Sequence, residues 1–263
     1  MANGIHSDWL VPDWPVPTSV RAVCSTRAGG VSLPPYGSLN LGDHVNDEPA
    51  AVAVNRRRFS EALGAKPVFM RQIHGWDVAS LPGRAGEETV ADACVTTAPG
   101  VACTIMVADC LPVLFADEQG RAVAAAHAGW RGLAGGPDGV GVIERTVASL
   151  RTALNDADHK TSRLFAWLGP CIGPDAFEVG PEVKAAFEAQ DAGAVACFKP
   201  HSEGKWLADL QALARRRLQA LNVTQVFGND GSAAWCTVGQ PSRFFSHRRD
   251  RVGGRFAAAV WRV

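Results

Sequence analysis

The sequence has no excess of charge of either sign and no long apolar run. Its 263 residues carry 26 basic and 26 acidic side chains, so nothing indicates electrostatic binding to DNA, RNA or an anionic membrane. No segment approaches the ~20 apolar residues that cross a bilayer. Residues 1–16 also lack the basic and apolar regions of a signal peptide. We therefore expect no nucleic-acid partner and no membrane.

A cysteine framework is also absent. The seven cysteines are odd in number and show no regular spacing. Together with the missing signal peptide, this favours free thiols and a cytoplasmic location over a disulfide-stapled secreted protein. The sequence indicates no obligate protein partner.

Several catalytic and metal-binding motifs are missing. There is no CxxC and no HExxH, and the seven histidines include no His-x-His pair of the kind a four-copper oxidase uses. Pro170-Cys171 is not followed by a cysteine three residues on, which argues against a cytidine-type deaminase. The glycine-containing loop Thr26–Ser32 lacks the Gly-Lys-Ser/Thr ending of a Walker loop.

The composition, 47% hydrophobic and 20% charged, is typical of a globular protein. No repeat, low-complexity tract or linker divides the chain, so we expect one domain over residues 1–263. Strands and helices are intermixed, and several apparent hairpins favour mixed or antiparallel sheets, and thus an α+β fold. The predicted helices are Glu48–Leu63, Val140–Leu154, Pro181–Gln190 and Ala208–Leu221. The predicted strands are Val20–Ser25, Val68–Met70, Ala91–Thr97, Val101–Val107, Arg163–Leu168, Val223–Gly228 and Phe256–Val263.

One predicted hairpin carries the clearest chemistry. Val113–Phe115 and Arg121–Ala126 read as buried strands joined by a turn over residues 116–120. Such a hairpin would bring Cys110 and His127 to the same end of a sheet. A thiol and an imidazole in that position make either a metal site or a nucleophile–base pair.

His74 is a third candidate, because it also follows a strand-like run. Two imidazoles and a thiolate suit Zn²⁺ and leave a fourth position open for water or substrate. The same donors could hold one copper. The three residues come from separate segments, so spacing alone leaves a metal site, a Cys110–His127 dyad and a purely structural role all open.

Asp109 precedes Cys110 and could act as a general base or orient a histidine. Strand alternation would point Asp109 and Cys110 to opposite faces, unless Pro112 makes the strand end irregular. Arg27, in the glycine-containing loop, belongs either to a tight turn or to an anion contact.

A family resemblance follows from motifs spread over nearly the whole chain. They are Thr26-Arg27-x-Gly29-Gly30-Val31-Ser32, Leu39-Asn40-Leu41-Gly42, Asn55-Arg56, Arg71-Gln72-Ile73-His74-Gly75, Ala108-Asp109-Cys110-Leu111-Pro112, His127-Ala128-Gly129-Trp130-Arg131-Gly132, Gly169-Pro170-Cys171-Ile172-Gly173 and Phe245-Ser246-x-Arg248-Arg249-Asp250. In this order they resemble the laccase-domain family, named multicopper polyphenol oxidase and later purine nucleoside phosphorylase.

The resemblance implies a four-layer α/β/β/α domain with mixed sheets, like the catalytic domain of cytotoxic necrotizing factors. It implies a zinc ion on His74, Cys110 and His127. It also implies phosphorolysis of adenosine, guanosine, inosine and methylthioadenosine, together with deamination of adenosine. A copper polyphenol oxidase and a metal-free Cys-His hydrolase acting on an amide bond are the alternatives.

Phosphorolysis needs cations to hold phosphate, and arginine suits bidentate capture. Arg27, Arg71 and Arg248 are the candidates, with Asn40 and Gln72 as further substrate contacts. Cys110, His127, Asp109 and Arg71 are the expected catalytic residues. The sequence departs from the family pattern at Phe177 and His247, where tyrosine is common, and both changes bear on substrate preference.

Overall fold

The fold is described from a computed structural model that covers residues 4–83, 88–155 and 162–263. Within these residues the chain forms thirteen strands, six α-helices and three short 3-10 helices. The strands are β1 Val20–Cys24, β2 Lys66–Val68, β3 Val78–Leu81, β4 Ala93–Thr96, β5 Val101–Val107, β6 Leu111–Asp117, β7 Val123–Ala128, β8 Leu164–Leu168, β9 Glu178–Val179, β10 Phe198–Pro200, β11 Trp206–Ala208, β12 Gln225–Gly228 and β13 Phe256–Arg262. The α-helices are α1 Pro49–Leu63, α2 Trp130–Ala134, α3 Val142–Ala153, α4 Pro181–Glu188, α5 Leu210–Ala220 and α6 His247–Asp250, and the 3-10 helices are Ala192–Cys197, Ser202–Gly204 and Ala233–Trp235.

Two large mixed sheets dominate the structure. One has the order β1-β13-β5-β2, and only its β2–β5 pair is parallel. The other has the order β12-β8-β6-β7-β4-β3, with parallel pairs at both edges and antiparallel pairs between them. A third, small sheet joins β10, β11 and β9. The prediction of mixed sheets is confirmed.

The two large sheets pack face to face, and β13 shows how its sequence makes this possible. Successive side chains of a strand point to opposite faces. Phe256, Ala258 and Val260 pack into the core between the sheets. Ala257, Ala259 and Trp261 face the other way, toward α1. Because both faces are covered, the strand is an unbroken apolar run.

Helices cover the outer faces of both large sheets. Phe59 of α1 packs against the four-stranded sheet. Apolar side chains of α3, α4 and α5 pack against the six-stranded sheet, with Val113 and Phe115 of β6 in the same cluster. The layers therefore run α/β/β/α, as expected; the likeness to cytotoxic necrotizing factors stays a prediction. No helix formed by the described residues combines the length and apolarity needed to cross a membrane.

The predicted hairpin is present as β6 and β7. Pro112 pairs with His127 in the antiparallel register. The buried Asp117 carboxylate closes the turn by accepting hydrogen bonds from the backbone nitrogens of Arg121 (2.6 Å) and Ala122 (2.9 Å). Cys110 and His127 consequently lie at the same end of the six-stranded sheet.

Residues 108–110 connect the two large sheets. The chain leaves the four-stranded sheet at Val107 and enters the six-stranded sheet at Leu111. This short crossing places Asp109 and Cys110 at one end of the sandwich, where polar side chains can reach solvent.

Candidate metal centre

Three donor side chains converge at this end of the sandwich. The ligand atoms of His74, Cys110 and His127 all lie within 4.8 Å of one another. His127 is buried, Cys110 is half-buried and His74 is exposed, so the cluster is open to solvent on one side. All three residues predicted as metal ligands are therefore brought together.

A fourth residue, Asp92, holds the two histidines in place. Its carboxylate is fully buried just before β4. Oδ1 lies 2.8 Å from His127 Nδ1 and accepts a hydrogen bond from the backbone nitrogen of His74 at 2.9 Å. Oδ2 accepts from the backbone nitrogens of Ile73 (3.0 Å) and Gly75 (2.7 Å). One carboxylate thus fixes both a side chain and a loop.

Sequence reasoning did not single out Asp92. The available signal is a lone acidic residue in the apolar run Ala91–Val95. A buried carboxylate is costly unless it is paired, so an acid in such a run predicts a buried partner.

The pairing with Asp92 assigns the roles of the His127 nitrogens. A carboxylate can only accept, so Nδ1–H donates and Nε2 keeps its lone pair for a metal or a proton. Burial disfavours the charged imidazole, but Cys110 and Asp92 together raise the pKa of His127 to about 9.

Cys110 shows the complementary effect. Burial opposes ionisation of the thiol, but the neighbouring His127 and His74 outweigh it and lower its pKa to about 6. The thiolate is the form that binds metals and attacks electrophiles. The site therefore presents an activated sulfur at neutral pH.

Two glycines beside the cluster let the backbone lie close to the ligands and to the loop that carries His74. A Cβ on Gly129 would lie 3.0 Å from Cys110 Sγ and 3.1 Å from His74 Cδ2. A Cβ on Gly132 would lie 2.5 Å from the carbonyl oxygen of Gly75. These contacts explain the glycines of the Gly129-Trp130-Arg131-Gly132 segment.

The donor set fits zinc. Imidazole and thiolate are both ligands that zinc binds, and three protein ligands leave one position for water or substrate. Asp92 supplies the outer carboxylate that a ligating histidine usually has. Copper also accepts these donors, and the geometry of the cluster supports a bound metal ion.

The cluster lies in a cleft of about 390 Å³, a size suited to a small-molecule ligand. The cleft is lined by His44, Gln72, His74, Met106, Val107, Ala108, Asp109, Cys110, His127, Ile172, Phe177, His247, Arg248 and Arg255. Apolar and aromatic side chains therefore adjoin cationic and metal-binding ones.

Asp109 and Cys110 both line the cleft, whereas strand alternation predicted that they point to opposite faces. The Asp109 φ of 96° lies in the left-handed region and breaks the alternation within residues 108–110. The irregularity arises at Asp109 itself, because Pro112 is a regular member of β6. Asp109 Oδ1 accepts from the Thr237 hydroxyl at 2.5 Å, and Oδ2 accepts from the Arg248 backbone nitrogen at 2.6 Å.

Two of the five predicted substrate contacts line the cleft. The Gln72 amide is engaged in two bonds to the backbone of Met106, so it holds the cleft wall. Arg248 donates from Nη1 to the carbonyl oxygen of Glu178 at 3.0 Å, and its guanidinium lies 5.5 Å from the Phe177 ring centroid.

Among the described residues that line the cleft, Arg27, Asn40 and Arg71 do not occur. Arg27 donates to the carbonyl oxygens of Gly37 and Pro241, both at 2.8 Å. The exposed Arg71 lies 3.5 Å from Glu88. Asn40 is fully buried and binds the backbone around it.

The structure also adds cleft residues that the sequence did not single out. His44 and Arg255 line the cleft, and Thr237 acts through Asp109. Arg255 follows two glycines in the stretch before β13 and resembles an ordinary turn residue in the sequence. His247 and Phe177, noted as departures from the family pattern, both line the cleft.

Comparisons with known proteins find relatives that are similar over nearly the whole chain. The chain is 50% identical over 255 residues to the Pseudomonas aeruginosa protein named purine nucleoside phosphorylase PA4543, covering 96% of this chain and 98% of the relative. It is 49% identical over 259 residues to the Escherichia coli protein named purine nucleoside phosphorylase YfiH, covering 98% and 100%.

A solved structure and a family model each match more than nine-tenths of the chain. The crystal structure of Neisseria meningitidis protein NMB0706 superimposes with a TM-score of 0.88 at 44% identity, covering 97% of this chain and 99% of that one. Residues 21–263 match the sequence model of the family described as multi-copper polyphenol oxidoreductase laccase. A match over more than nine-tenths of the sequence, with relatives near half identity, means that this chain belongs to that family.

Proposed function

We propose that this protein is a zinc-dependent purine nucleoside phosphorylase. It would cleave adenosine, guanosine, inosine and methylthioadenosine with phosphate, and would also deaminate adenosine. The observation that carries the proposal is the His74–Cys110–His127 donor set in an open cleft, within a chain whose close relatives are named purine nucleoside phosphorylases.

In this proposal His74, Cys110 and His127 hold the zinc ion. When bound, zinc supplies a Lewis acid that stabilises negative charge on a substrate or water oxygen. Asp92 keeps the Nδ1 proton on His127 and so directs Nε2 into the site. The low pKa of Cys110 keeps the thiolate available for the metal at neutral pH.

Phosphorolysis breaks the bond between the ribose C1′ and the purine nitrogen. A phosphate oxygen forms the new bond to C1′, while the purine leaves with the bonding electrons and takes up a proton. Arg248 would hold phosphate, and Asp109 would relay a proton from the attacking dihydrogen phosphate to the leaving purine nitrogen. Ile172 and Phe177 offer an apolar surface for the purine ring.

Deamination of adenosine breaks a different bond, because water adds to C6 of the purine and the 6-amino group leaves as ammonia, which gives inosine. The same cleft would serve, because both reactions act on a purine nucleoside held beside the donor cluster. Arg71, predicted as catalytic from the sequence, does not line the cleft, so we propose no reaction step for it.

A second candidate is a metal-free hydrolase acting on an amide bond. In this reaction Cys110 would be the nucleophile, His127 the base and Asp92 the acid that orients the base. In that reaction His74 has no chemical task. A copper polyphenol oxidase agrees with the family's description, but the described residues bring together one three-donor cluster, whereas a four-copper enzyme needs many more histidines.

A single preparation tests these alternatives. Bound metal is measured first, and then phosphate-dependent release of adenine or hypoxanthine from nucleosides is assayed. We expect one zinc per chain and turnover that requires phosphate. Metal-free, phosphate-independent turnover would refute the phosphorylase, and a copper-loaded protein that fails to oxidise phenols would refute the oxidase.

The variant His74→Ala separates metal chemistry from a cysteine dyad. If zinc is required, this variant loses both metal and activity, as Cys110→Ser does. If Cys110 and His127 act alone, His74→Ala keeps its activity while Cys110→Ser does not.

A further inference from the structure

Arg255 lines the cleft but belongs to none of the sequence motifs described above. Its side chain is half-buried. Nη1 donates to the carbonyl oxygens of Gly253 and Gly254, its own neighbours in the chain, both at 3.1 Å. Among the described residues, no carboxylate lies within ion-pair distance of this guanidinium, so it forms no salt bridge there.

The loop after β1 holds the Arg255 stem. Asn40 Oδ1 accepts a hydrogen bond from the Arg255 backbone nitrogen at 2.8 Å. A Cβ on Gly42 would lie 2.8 Å from Arg255 Cγ, so the glycine leaves the space that the stem occupies. Two residues of the Leu39-Asn40-Leu41-Gly42 motif thus position the arginine.

Arg255 lines the same cleft as the reactive groups. Burial lowers the pKa of its guanidinium, while Cys110 and Asp109 act in the opposite direction and favour the charged form. Both of these side chains line the same cleft. Asp109 also binds the backbone of Arg248, so it adjoins the second cation as well.

The Arg248 guanidinium likewise forms no salt bridge among the described residues. Its contacts are the carbonyl oxygen of Glu178 and the face of Phe177. A desolvated charge is costly unless an opposite charge or strong hydrogen bonds compensate it. Two guanidinium groups without salt bridges in one cleft suit an anionic ligand, because a guanidinium binds phosphate with two parallel hydrogen bonds.

We propose that Arg255 and Arg248 together form the oxyanion subsite of the cleft and bind inorganic phosphate. The identity of the anion as a cosubstrate rests on the proposed function, whereas the anion site itself rests on the unpaired guanidinium groups. In this assignment Arg255 binds substrate, and Asn40 positions it rather than contacting substrate.

The test measures phosphate binding with and without turnover. Binding of inorganic phosphate to the zinc-loaded full-length protein is followed by calorimetry, and the KM for phosphate is measured in phosphorolysis. We expect Arg255→Gln to weaken both about ten- to hundredfold and Arg255→Lys to weaken them less, while the KM for nucleoside stays unchanged. Arg57→Gln, an exposed arginine of α1 near Glu61, is the matched control.

Two outcomes separate the subsite from the function. If Arg255→Gln cleaves nucleosides with an unchanged KM for phosphate, the subsite assignment is wrong and the proposed function stands. If the wild-type protein shows no phosphorolysis but binds phosphate through Arg255, the function fails and the subsite stands.

Further measurements test which arginine binds the anion and which anion it is. Loss of phosphate binding in Arg27→Gln or Arg71→Gln, but not in Arg255→Gln, would overturn the assignment. Adenosine monophosphate that displaces phosphate and binds more tightly would identify a phosphate ester as the ligand, against inorganic phosphate. Thermal unfolding of Arg255→Lys and Arg255→Gln shows whether either variant is misfolded. If Arg255→Gln is misfolded, Arg255→Lys still tests the proposal, because it keeps the charge but loses the two parallel hydrogen bonds.

Discussion

Asp92 Oδ1 lies 2.8 Å from Nδ1 of His127, and the same carboxylate accepts hydrogen bonds from three consecutive backbone nitrogens at residues 73–75. Burial opposes its ionisation, but the His127 imidazole and these amides keep the pKa of Asp92 below its usual range. The carboxylate is therefore ionised at neutral pH and joins the end of β7 to the loop that carries His74.

Asp92→Asn should weaken zinc binding without removing a ligand. The amide keeps one acceptor oxygen but loses the charge that orients His127, and loss of such an outer carboxylate typically costs about 10- to 100-fold in metal affinity. Competition with a zinc chelator measures the change. Unaltered zinc affinity would contradict the role given to Asp92.

Asp117→Asn is the matched control for this substitution. Asp117 is also a fully buried carboxylate, but it closes the β6–β7 turn at the opposite end of the hairpin. We expect it to lower the free energy of unfolding by about 1–3 kcal/mol while leaving zinc affinity intact.

Gly129→Ala should weaken zinc binding by a steric clash with the ligands. The added methyl group would meet Cys110 Sγ at 3.0 Å and His74 Cδ2 at 3.1 Å, so one ligand must move. We expect a cost of about 1–3 kcal/mol, seen as weaker zinc binding. Gly239→Ala is the control, because its nearest contact would be an ordinary 3.7 Å and it lies away from the ligands.

In the metal-free protein, Cys110 should react selectively with iodoacetamide. Only the thiolate reacts, and a pKa lowered to about 6 leaves Cys110 protonated below that pH and ionised above it. Alkylation should therefore rise with pH around 6 and level off near neutrality, as followed by mass spectrometry. A midpoint near the ordinary thiol value of about 8.5 would contradict the stabilising effect of the two histidines.

Two internal comparisons strengthen this measurement. Burial raises the pKa of the Cys24, Cys103 and Cys171 thiols, so these cysteines should stay unlabelled over the same pH range. Bound zinc should protect Cys110, because the thiolate is then coordinated.

Local sequence signals predicted much of the fold. Helix α1 begins at Pro49 and ends before Gly64, whose φ of 61° suits glycine at a helix end. The apolar runs of β5, β6, β7 and β13 also predicted buried strands. These features depend on neighbours in the chain, so they can be read without knowing the tertiary structure.

The remaining features depend on residues distant in sequence. Asp92 is one side chain in an apolar run until the fold brings it to His127, which is 35 positions away. Arg255 lies in the cleft with its backbone bound by Asn40, which is 215 positions earlier. Arg27 shows the reverse, since an arginine beside glycines resembles an anion site but here binds carbonyl oxygens across 214 positions. The local sequence does not identify the partner in such long-range pairings.

Asp109 provides the last prediction, because its two hydrogen bonds are compatible with either proton transfer or simple positioning of Arg248. Asp109→Asn keeps an acceptor for the Thr237 hydroxyl but cannot carry the proton. Thr237→Val removes one hydrogen bond and leaves the carboxylate in place. Comparing the two variants therefore isolates the proton.

We expect both variants to retain zinc, because neither residue is a ligand. Asp109→Asn should lower kcat by about 10²- to 10⁴-fold and abolish one limb of the pH–rate profile, as loss of a general acid–base does. Thr237→Val should lower kcat by about tenfold at most, in line with one hydrogen bond. Equal and small losses in the two variants would instead make Asp109 a residue that only positions Arg248, since both variants weaken that arrangement to a similar extent.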